Sequence, residues 1–327
     1  MADGVGAGPV VERVLVTGGC GYVGSRLVPD LLVDETVGSV RVIDSLSTGR
    51  LQALMDLPEN RSLQFIEADL LDPASIDLAL EGVDAVVHLA GIGATPVTFS
   101  DRESMQRVNR WATAHLLDHC RERGVRRFIF ASTASVYGSG ACYAEDAPLR
   151  PLGTFAQSKR DAEGNVRVRG EHALDATILR LGTVYGWAPG VRFDAAPNRF
   201  AYWAGVGRAL SVFGTGEQRR PLLHVQDASG AIRFCLARPG LTAGRVFNVA
   251  SGNYSLLELV EAVRSFRPEV RVRFTDQEIL THLTYEVDIS ALTEAGWSAG
   301  TDLAPGLAEL SSRFEGLVSR PPATVEP

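Results

Sequence analysis

Cysteine is scarce in this chain. Four occur in 327 residues, Cys20, Cys120, Cys142 and Cys235, far apart and with no C-x-x-C pair. That spacing excludes a disulfide scaffold or a cysteine zinc centre and fits a reduced, cytoplasmic protein. No uninterrupted apolar run approaches the roughly 18 residues of a membrane-spanning helix. The Gly- and Ala-rich start, residues 1–10, carries no positive charge ahead of an apolar stretch. It reads as a flexible arm rather than a secretory signal. No basic block exists either. Arg121 to Arg127 is interrupted by Glu122, Gly124 and Val125, and the net charge is −7. Nucleic acid or an anionic membrane is therefore not expected as a partner. No metal set is visible: His88 has no His, Cys or carboxylate at ligand spacing and reads as a structural histidine at a strand end. No internal repeat is present.

What the chain does have is an ordinary globular balance, with 45% hydrophobic and 22% charged residues. Short β-branched runs alternate with helical stretches. The expected strands are Val11–Thr17, Val40–Asp44, Leu63–Asp69, Ala85–Ala90, Arg127–Thr133 and Ala176–Gly182. Asp72-Pro73 is an N-cap followed by proline at the first helical position. Ser104 is the expected N-cap of a longer helix, Met105–Arg123, and Thr154 to about Gly170 reads as another. Strands alternating with helices give an α/β fold, a doubly wound, Rossmann-like parallel sheet. After Gly182 glycine, proline and aromatics become frequent. A strand at Val246–Ala250 and a capping box, Ser255 to Glu258, follow. The expected organisation is an arm (1–10), a nucleotide-binding domain (11–182) and a smaller substrate lobe (183–327), partly interleaved with the first domain.

Gly18, Gly21 and Gly24 follow the first strand and open a helix, with Tyr22 and Val23 between the last two. The first glycine permits a tight turn, the second lets backbone approach a pyrophosphate, and the third lets the helix pack against the strand. The helix N-terminus then offers free N–H groups to phosphate. Asp44 ends the second strand 20 residues after Gly24. A carboxylate there accepts from ribose hydroxyls and repels a 2′-phosphate, so the cofactor read from the residues is NAD rather than NADP.

The spacing Gly-x-x-Gly-x-x-Gly resembles the extended short-chain dehydrogenase/reductase superfamily. Further segments resemble it in order: Val42–Gly49, Asp69-Leu70, His88-Leu89-Ala90-Gly91, Ser132–Gly138, Arg180–Gly186 and Phe213–Arg220. Together, over about residues 11 to 310, they resemble its NAD-dependent epimerase/dehydratase branch, which acts mostly on nucleotide sugars. The resemblance implies that Asp69 and Leu70 contact adenine and that Leu89, Ala90 and Gly91 lie beside the cofactor. It also implies a homodimer formed through the two long helices.

In that branch a Tyr-x-x-x-Lys pair does the acid–base work, and a Ser or Thr on the fifth strand bonds the reacting hydroxyl. Thr133 and Lys159 match two of these positions; the tyrosine position holds Phe155. Phenylalanine has no proton to exchange. Three readings follow. The chain is an inert Tyr→Phe form of an enzyme; or another group serves, with Cys142 and Tyr143 as candidates and Thr133 poorly suited; or the protein binds NAD and a nucleotide sugar without turnover. Dehydratases and decarboxylases of the branch commonly carry an acidic residue just after the Ser/Thr, where this chain has Ala134 and Ser135. That favours epimerisation, most often at C4, through a transient keto-sugar, over dehydratase, decarboxylase or ketoreductase activity.

In the substrate lobe the resemblance implies that Arg220 binds the substrate diphosphate, that Phe213 lies near the base, and that Asn198 and Thr183 line the site. Thr183 stands where asparagine is usual. The Arg-Pro-Gly-Asp pattern usual near residue 282 is replaced by Gln277–His282. Arg192, Arg199 and His282 are the candidates for the missing phosphate contact.

Overall fold

The computed structural model describes residues 11–47, 50–58, 62–93, 102–170, 174–275 and 284–317. The expected arm, Thr48-Gly49 and the 277–282 segment with His282 lie outside the described residues.

The first half runs β1 (Val11–Thr17), α1 (Gly24–Leu32), β2 (Val37–Asp44), β3 (Ser62–Glu67), α2 (Pro73–Leu80), β4 (Ala85–His88), α3 (Arg102–Met105), α4 (Ala112–Glu122), β5 (Arg127–Thr133), β6 (Cys142–Tyr143), α5 (Thr154–Gly170) and β7 (Asp175–Leu181). The second half continues through β8 (Thr183–Tyr185), α6 (Ala196–Gly205), β9 (Leu210–Phe213), β10 (Arg219–His224), α7 (Val225–Ala237), α8 (Pro239–Thr242) and β11 (Val246–Val249). It closes with β12 (Gly252–Ser255), α9 (Leu256–Arg264), β13 (Val272–Thr275), β14 (Glu286–Val287), α10 (Ser290–Glu294) and α11 (Leu303–Ser312).

Seven strands form one parallel sheet in the order β11-β7-β5-β4-β1-β2-β3. Its central strands are buried on both faces and read as continuous apolar runs, while the edge strand β3 stays partly exposed. Alternation still sorts the side chains. Val14 and Val16 of β1 join Leu27 and Leu31 of α1 and Ile232 and Leu236 of α7 on one face. Leu15 joins Ile76, Leu116, Phe128 and Val166 on the other. The strand order reverses between β1 and β4, and in such sheets ligands bind beyond the carboxyl ends of the strands at that point.

The local signals mostly form as the residues dictate. Asp72 accepts from Ala74 N and Ser75 N at 3.3 and 3.2 Å, with Pro73 in the first turn. Both halves of the Ser255/Glu258 box close, at 3.1 and 2.7 Å. Several boundaries differ, and β2 begins at Val37 rather than Val40. β3 ends at Glu67 and β4 at His88, so Asp69, Leu89 and Ala90 lie just past their strands. Ser104 is not an N-cap but lies within α3, and a π-helical segment, Gln106–Trp111, joins α3 to α4. The lobe interleaves extensively: after β10, α7 and β11 return to the main sheet, and β11 pairs with β7. The remaining lobe has its own core, around Phe200, Leu210, Val260 and Leu307.

Candidate dinucleotide and sugar site

The loop from Gly18 to Gly24 sits at the β1–β4 reversal. Gly18 has φ +70°, and a Cβ there would lie 2.6 Å from Ala90 N, so no other residue fits without displacing backbone. A Cβ on Gly24 would lie 2.6 Å from Gly18 O and from Gly19 Cα. Gly21 is different: its Cβ would meet only Gly18 O, at 3.2 Å. Two glycines thus close the turn, and the middle one leaves an open approach to backbone. Val23 is the first cap of α1, whose first turn has no acidic side chain to neutralise its N–H groups.

Asp44 accepts from Cys20 N at 2.9 Å and from Leu46 N at 2.8 Å, one bond to each carboxylate oxygen. A carboxylate has about four acceptor sites, so capacity for ribose hydroxyls remains. Asp69 is exposed and accepts from Leu71 N at 2.9 Å, while Leu70 is buried in the core beneath it. Cys20 is sealed in, and burial with the nearby Asp44 charge pushes its thiol up to about 12, so it is unreactive at neutral pH.

Behind the loop lies a bonded chain with one consistent polarity. The Thr113 hydroxyl donates to Asn109 O at 2.8 Å, so it accepts from His88 Nε2–H, also at 2.8 Å. His88 Nδ1 therefore accepts from the Thr17 hydroxyl at 2.7 Å, and Thr17 Oγ1 in turn accepts from Ala90 N at 3.2 Å. Burial first, and the Lys159 charge second, hold His88 down to about 3. It is a neutral structural histidine that fixes Ala90.

Lys159 lies on α5 and is the sole lysine of the chain; every other basic side chain in the Lys+Arg total of 32 is arginine. Its Nζ donates to Ala131 O at 2.9 Å, lies 4.9 Å from the Phe130 ring centroid, and is 3.4 Å from where a Gly91 Cβ would be. Lys159 and the exposed Gly91 therefore share one edge of the site. Burial lowers Lys159 from 10.5 to about 8, against the raising effect of Glu163. Selective ¹⁵N labelling of lysine should show a single side-chain signal titrating near 8; a midpoint above 10 contradicts this placement. Between about 8 and 10.5 the unfolded chain binds the extra proton, so Lys159 adds stability as pH rises through that window. Below about 8 that contribution is absent.

Thr133 ends β5, half-buried, with Oγ1 2.9 Å from Ser135 Oγ and accepting from Ser135 N at 3.2 Å. Phe155, in the first turn of α5, is also half-buried. The two alternatives to a tyrosine base fit poorly. The Cys142 thiol is pushed up by burial and by Glu286 and Asp288. Tyr143 stacks on Tyr137 at 5.0 Å and donates to Ser139 O at 2.9 Å.

Tyr22 and Asn198 come together across the lobes. Tyr22 donates to Gly186 O, while Asn198 donates to Tyr22 Oη at 3.1 Å and to Arg192 O at 2.8 Å and accepts from Gly186 N at 3.0 Å. Asn198 is fully buried, so the pair latches the glycine loop to the lobe. Thr183 starts β8, half-buried, parallel to β10. Phe213 ends β9, and Arg220 lies 5.0 Å over the Tyr285 ring and hydrogen-bonds it.

Two groups escaped the sequence reading. Asn109, in the π segment, accepts from Ile92 N at 2.7 Å and donates to Ile92 O at 3.0 Å and Ser158 Oγ at 2.9 Å. It ties the segment after β4 to α5. The second is a buried network in which Arg180 pairs with Glu163 at 2.8 Å and donates to Tyr137 Oη at 2.7 Å. Ser132 Oγ donates to the same Glu163 at 2.5 Å.

The fold, with the glycine loop at its strand reversal, is a Rossmann-like α/β architecture with smaller C-terminal sheets. Residues 14–250 match the NAD dependent epimerase/dehydratase family, and the chain belongs to it. It is 30% identical over 313 residues to the UDP-glucose 4-epimerase of Bacillus subtilis (strain 168), covering 88% of this chain and 92% of that one. It is also 30% identical over 311 residues to a dTDP-glucose 4,6-dehydratase of Streptomyces niveus, covering 91% of each. The structure of a Bacillus cereus UDP-glucuronic acid 4-epimerase with UDP-glucuronic acid and NAD superposes with a TM-score of 0.83 at 27% identity, over 92% of this chain and 98% of that one. NAD is thus the cofactor of the family, and the open approach at Gly21 fits it.

Among the described residues no cluster of His, Cys, Asp or Glu could hold a metal, and no helix is long and apolar enough to cross a membrane.

Proposed function

We propose that this chain is a nucleotide-sugar C4-epimerase scaffold in which the acid–base position, Phe155, is inert. NAD, when bound, supplies reversible hydride transfer. The chain's own residues do the rest. Lys159 holds its ammonium at the edge shared with Gly91, where it can donate to a ribose hydroxyl. The Thr133 hydroxyl can donate to the sugar oxygen, and Arg220 offers a guanidinium to the substrate diphosphate. The observation that carries the reading is the pairing of an intact Lys159 and Thr133 with a phenylalanine one helical turn from the lysine.

Ala134 and Ser135 bring no carboxylate to the end of β5, so nothing at those positions moves the second proton that dehydration requires. That supports epimerisation over dehydratase, decarboxylase or ketoreductase chemistry. Incubating Phe155→Tyr with UDP- and dTDP-hexoses tests it by NMR. The expected product is inverted at C4 and nowhere else. A 4-keto-6-deoxy product would place the chain with the dehydratases instead. The second reading, a protein that binds NAD and a nucleotide sugar without turnover, is favoured by the poor fit of Cys142 and Tyr143 as bases. It predicts no product from either form.

The reading includes a homodimer through α4 and α5. Trp111, the last residue of the π segment before α4, is 51% exposed and Val168 on α5 is 71% exposed, large apolar groups left in water by a single chain. Light scattering should give twice 35.1 kDa, and Trp111→Glu should halve it. A single-chain mass for the parent at micromolar concentration contradicts the dimer. The free cysteines, three of them buried, accord with a reducing cytoplasm.

A further inference from the structure

The chain between β8 and α6 runs as a strap from one wall of the β1–β4 crevice to the other. Gly186, at φ +100°, turns it out of β8, and a short turn, with Val191 N donating to Ala188 O at 2.9 Å, carries it on to Arg192. Gly190 passes so near the glycine loop that a Cβ on it would lie 2.7 Å from Gly21 O and 2.9 Å from Tyr22 Cα. Gly190 N donates to Ser25 Oγ at 3.0 Å, and that hydroxyl donates to Tyr22 O at 2.9 Å. Farther along, the Arg192 guanidinium lies against Gly93, on the segment past β4. The strap therefore touches both sides of the strand reversal.

Walls and strap are held differently. The far wall is pinned to the sheet and to α5: Ala90 N donates to Thr17, and both backbone groups of Ile92 bond Asn109. The strap is held by the Gly190–Ser25 bond and by a latch at its base. There Tyr22 donates to Gly186 O, while the buried Asn198 accepts from Gly186 N at 3.0 Å and donates to Tyr22 Oη at 3.1 Å and to Arg192 O at 2.8 Å. Burial raises the Tyr22 phenol, so it stays a donor at neutral pH. All of these bonds join the chain to itself, and each neutral one is worth about 2- to 10-fold in an equilibrium constant.

We infer that residues 186–192 form a gate over the dinucleotide crevice, latched by Tyr22, Ser25 and Asn198, which NAD must pass on entry and exit. A pyrophosphate seated at the glycine loop and the first turn of α1 lies between the walls that the strap joins. Gly190 is where the fit is tightest, because a side chain there meets loop backbone, which cannot swing aside as a flexible side chain would. The latch contains no cofactor group. Weakening it therefore opens the gate in the empty and the loaded chain alike. Entry and exit quicken together, and the affinity stays nearly constant.

The test measures radiolabelled NAD on the full chain by rapid filtration: uptake for the entry rate, a chase with excess unlabelled NAD for the exit rate, and retention at equilibrium for Kd. Tyr22→Phe removes the donor to Gly186 O and the acceptor of Asn198; Gly190→Ala pushes the strap off the loop. Each should raise both rates by about 10-fold or more, with Kd within about 3-fold of the parent. Ser25→Ala, which loses a single bond to the strap, should raise both by about 2- to 10-fold. A Kd that rises in step with the exit rate, at an unchanged entry rate, would make these residues direct holders of NAD and would overturn the gate. Unchanged rates in Tyr22→Phe and Gly190→Ala would overturn it as well. If Gly190→Ala fails to fold, Tyr22→Phe and Ser25→Ala decide by the same two rates.

Discussion

Phe155→Tyr should raise the rate of nucleotide-sugar interconversion by about 10²–10⁴-fold, the usual contribution of one positioned acid–base group. α5 places residue 155 one helical turn before Lys159, and this i, i+4 spacing sets the two side chains on one face. Lys159 is already buried, bonded to Ala131 O and depressed to about 8. A tyrosine at 155 would gain an ammonium neighbour that lowers its own pKa, which is what a base needs near neutral pH. The gain should appear in kcat, because a phenol oxygen adds little to ground-state binding. It should vanish in Phe155→Tyr/Lys159→Met. A double variant as active as the single one would show that the lysine has no part in the chemistry. Equal activity in parent and Phe155→Tyr would mean that the base lies elsewhere, with Thr133 and Cys142 the residues to test next.

Arg180→Met should destabilise the chain by about 3–5 kcal/mol, the cost of leaving one member of a buried ion pair behind. The side chains of Arg180 and Glu163 are 1% and 2% exposed. Removing the guanidinium strips Glu163 of its counter-charge and takes donors from Tyr137 and from Glu145 O. Ser132 alone would then face a buried carboxylate. Replacing both partners, Arg180→Met with Glu163→Leu, should recover much of the loss, since no uncompensated charge remains. Chemical denaturation of the three forms measures this. A loss under about 1 kcal/mol for the single variant, the range of an exposed pair, would contradict the burial. The network ties β5, α5 and β7 together just behind Thr133 and Lys159, so it also fixes where those residues stand.

The glycine turn after β1 was legible because its signals are local. Gly18 needs a positive φ and meets Ala90 backbone, and only glycine meets both conditions. Asp44 reads as a strand end because the β2 run stops there. The strand positions were legible for the same reason: a doubly covered sheet demands apolar runs. What was hidden is tertiary. Ser104 looked like a cap because nothing local reveals that the helix begins two residues earlier. The π segment puts Asn109 against Ile92 and Ser158, contacts made far along the chain. Asn198 could be placed near the ligand by resemblance, but its role as a latch to Tyr22 depends on how the lobes meet. Arg180 and Glu163 looked like ordinary charges, because pairing between a strand and a helix leaves no periodic trace. The lobe's return to the main sheet through β11 lies beyond any local signal.

On the proposed reading the site is assembled but lacks its proton carrier. The most direct measurement follows reduced nicotinamide by absorbance after a nucleotide sugar is mixed with the NAD-loaded chain, in the parent and in Phe155→Tyr. The sugar nucleotide should bind saturably in both forms. Reduction should be fast only in Phe155→Tyr, at least about 10²-fold above the parent. Reduction at the same rate in the parent would contradict it.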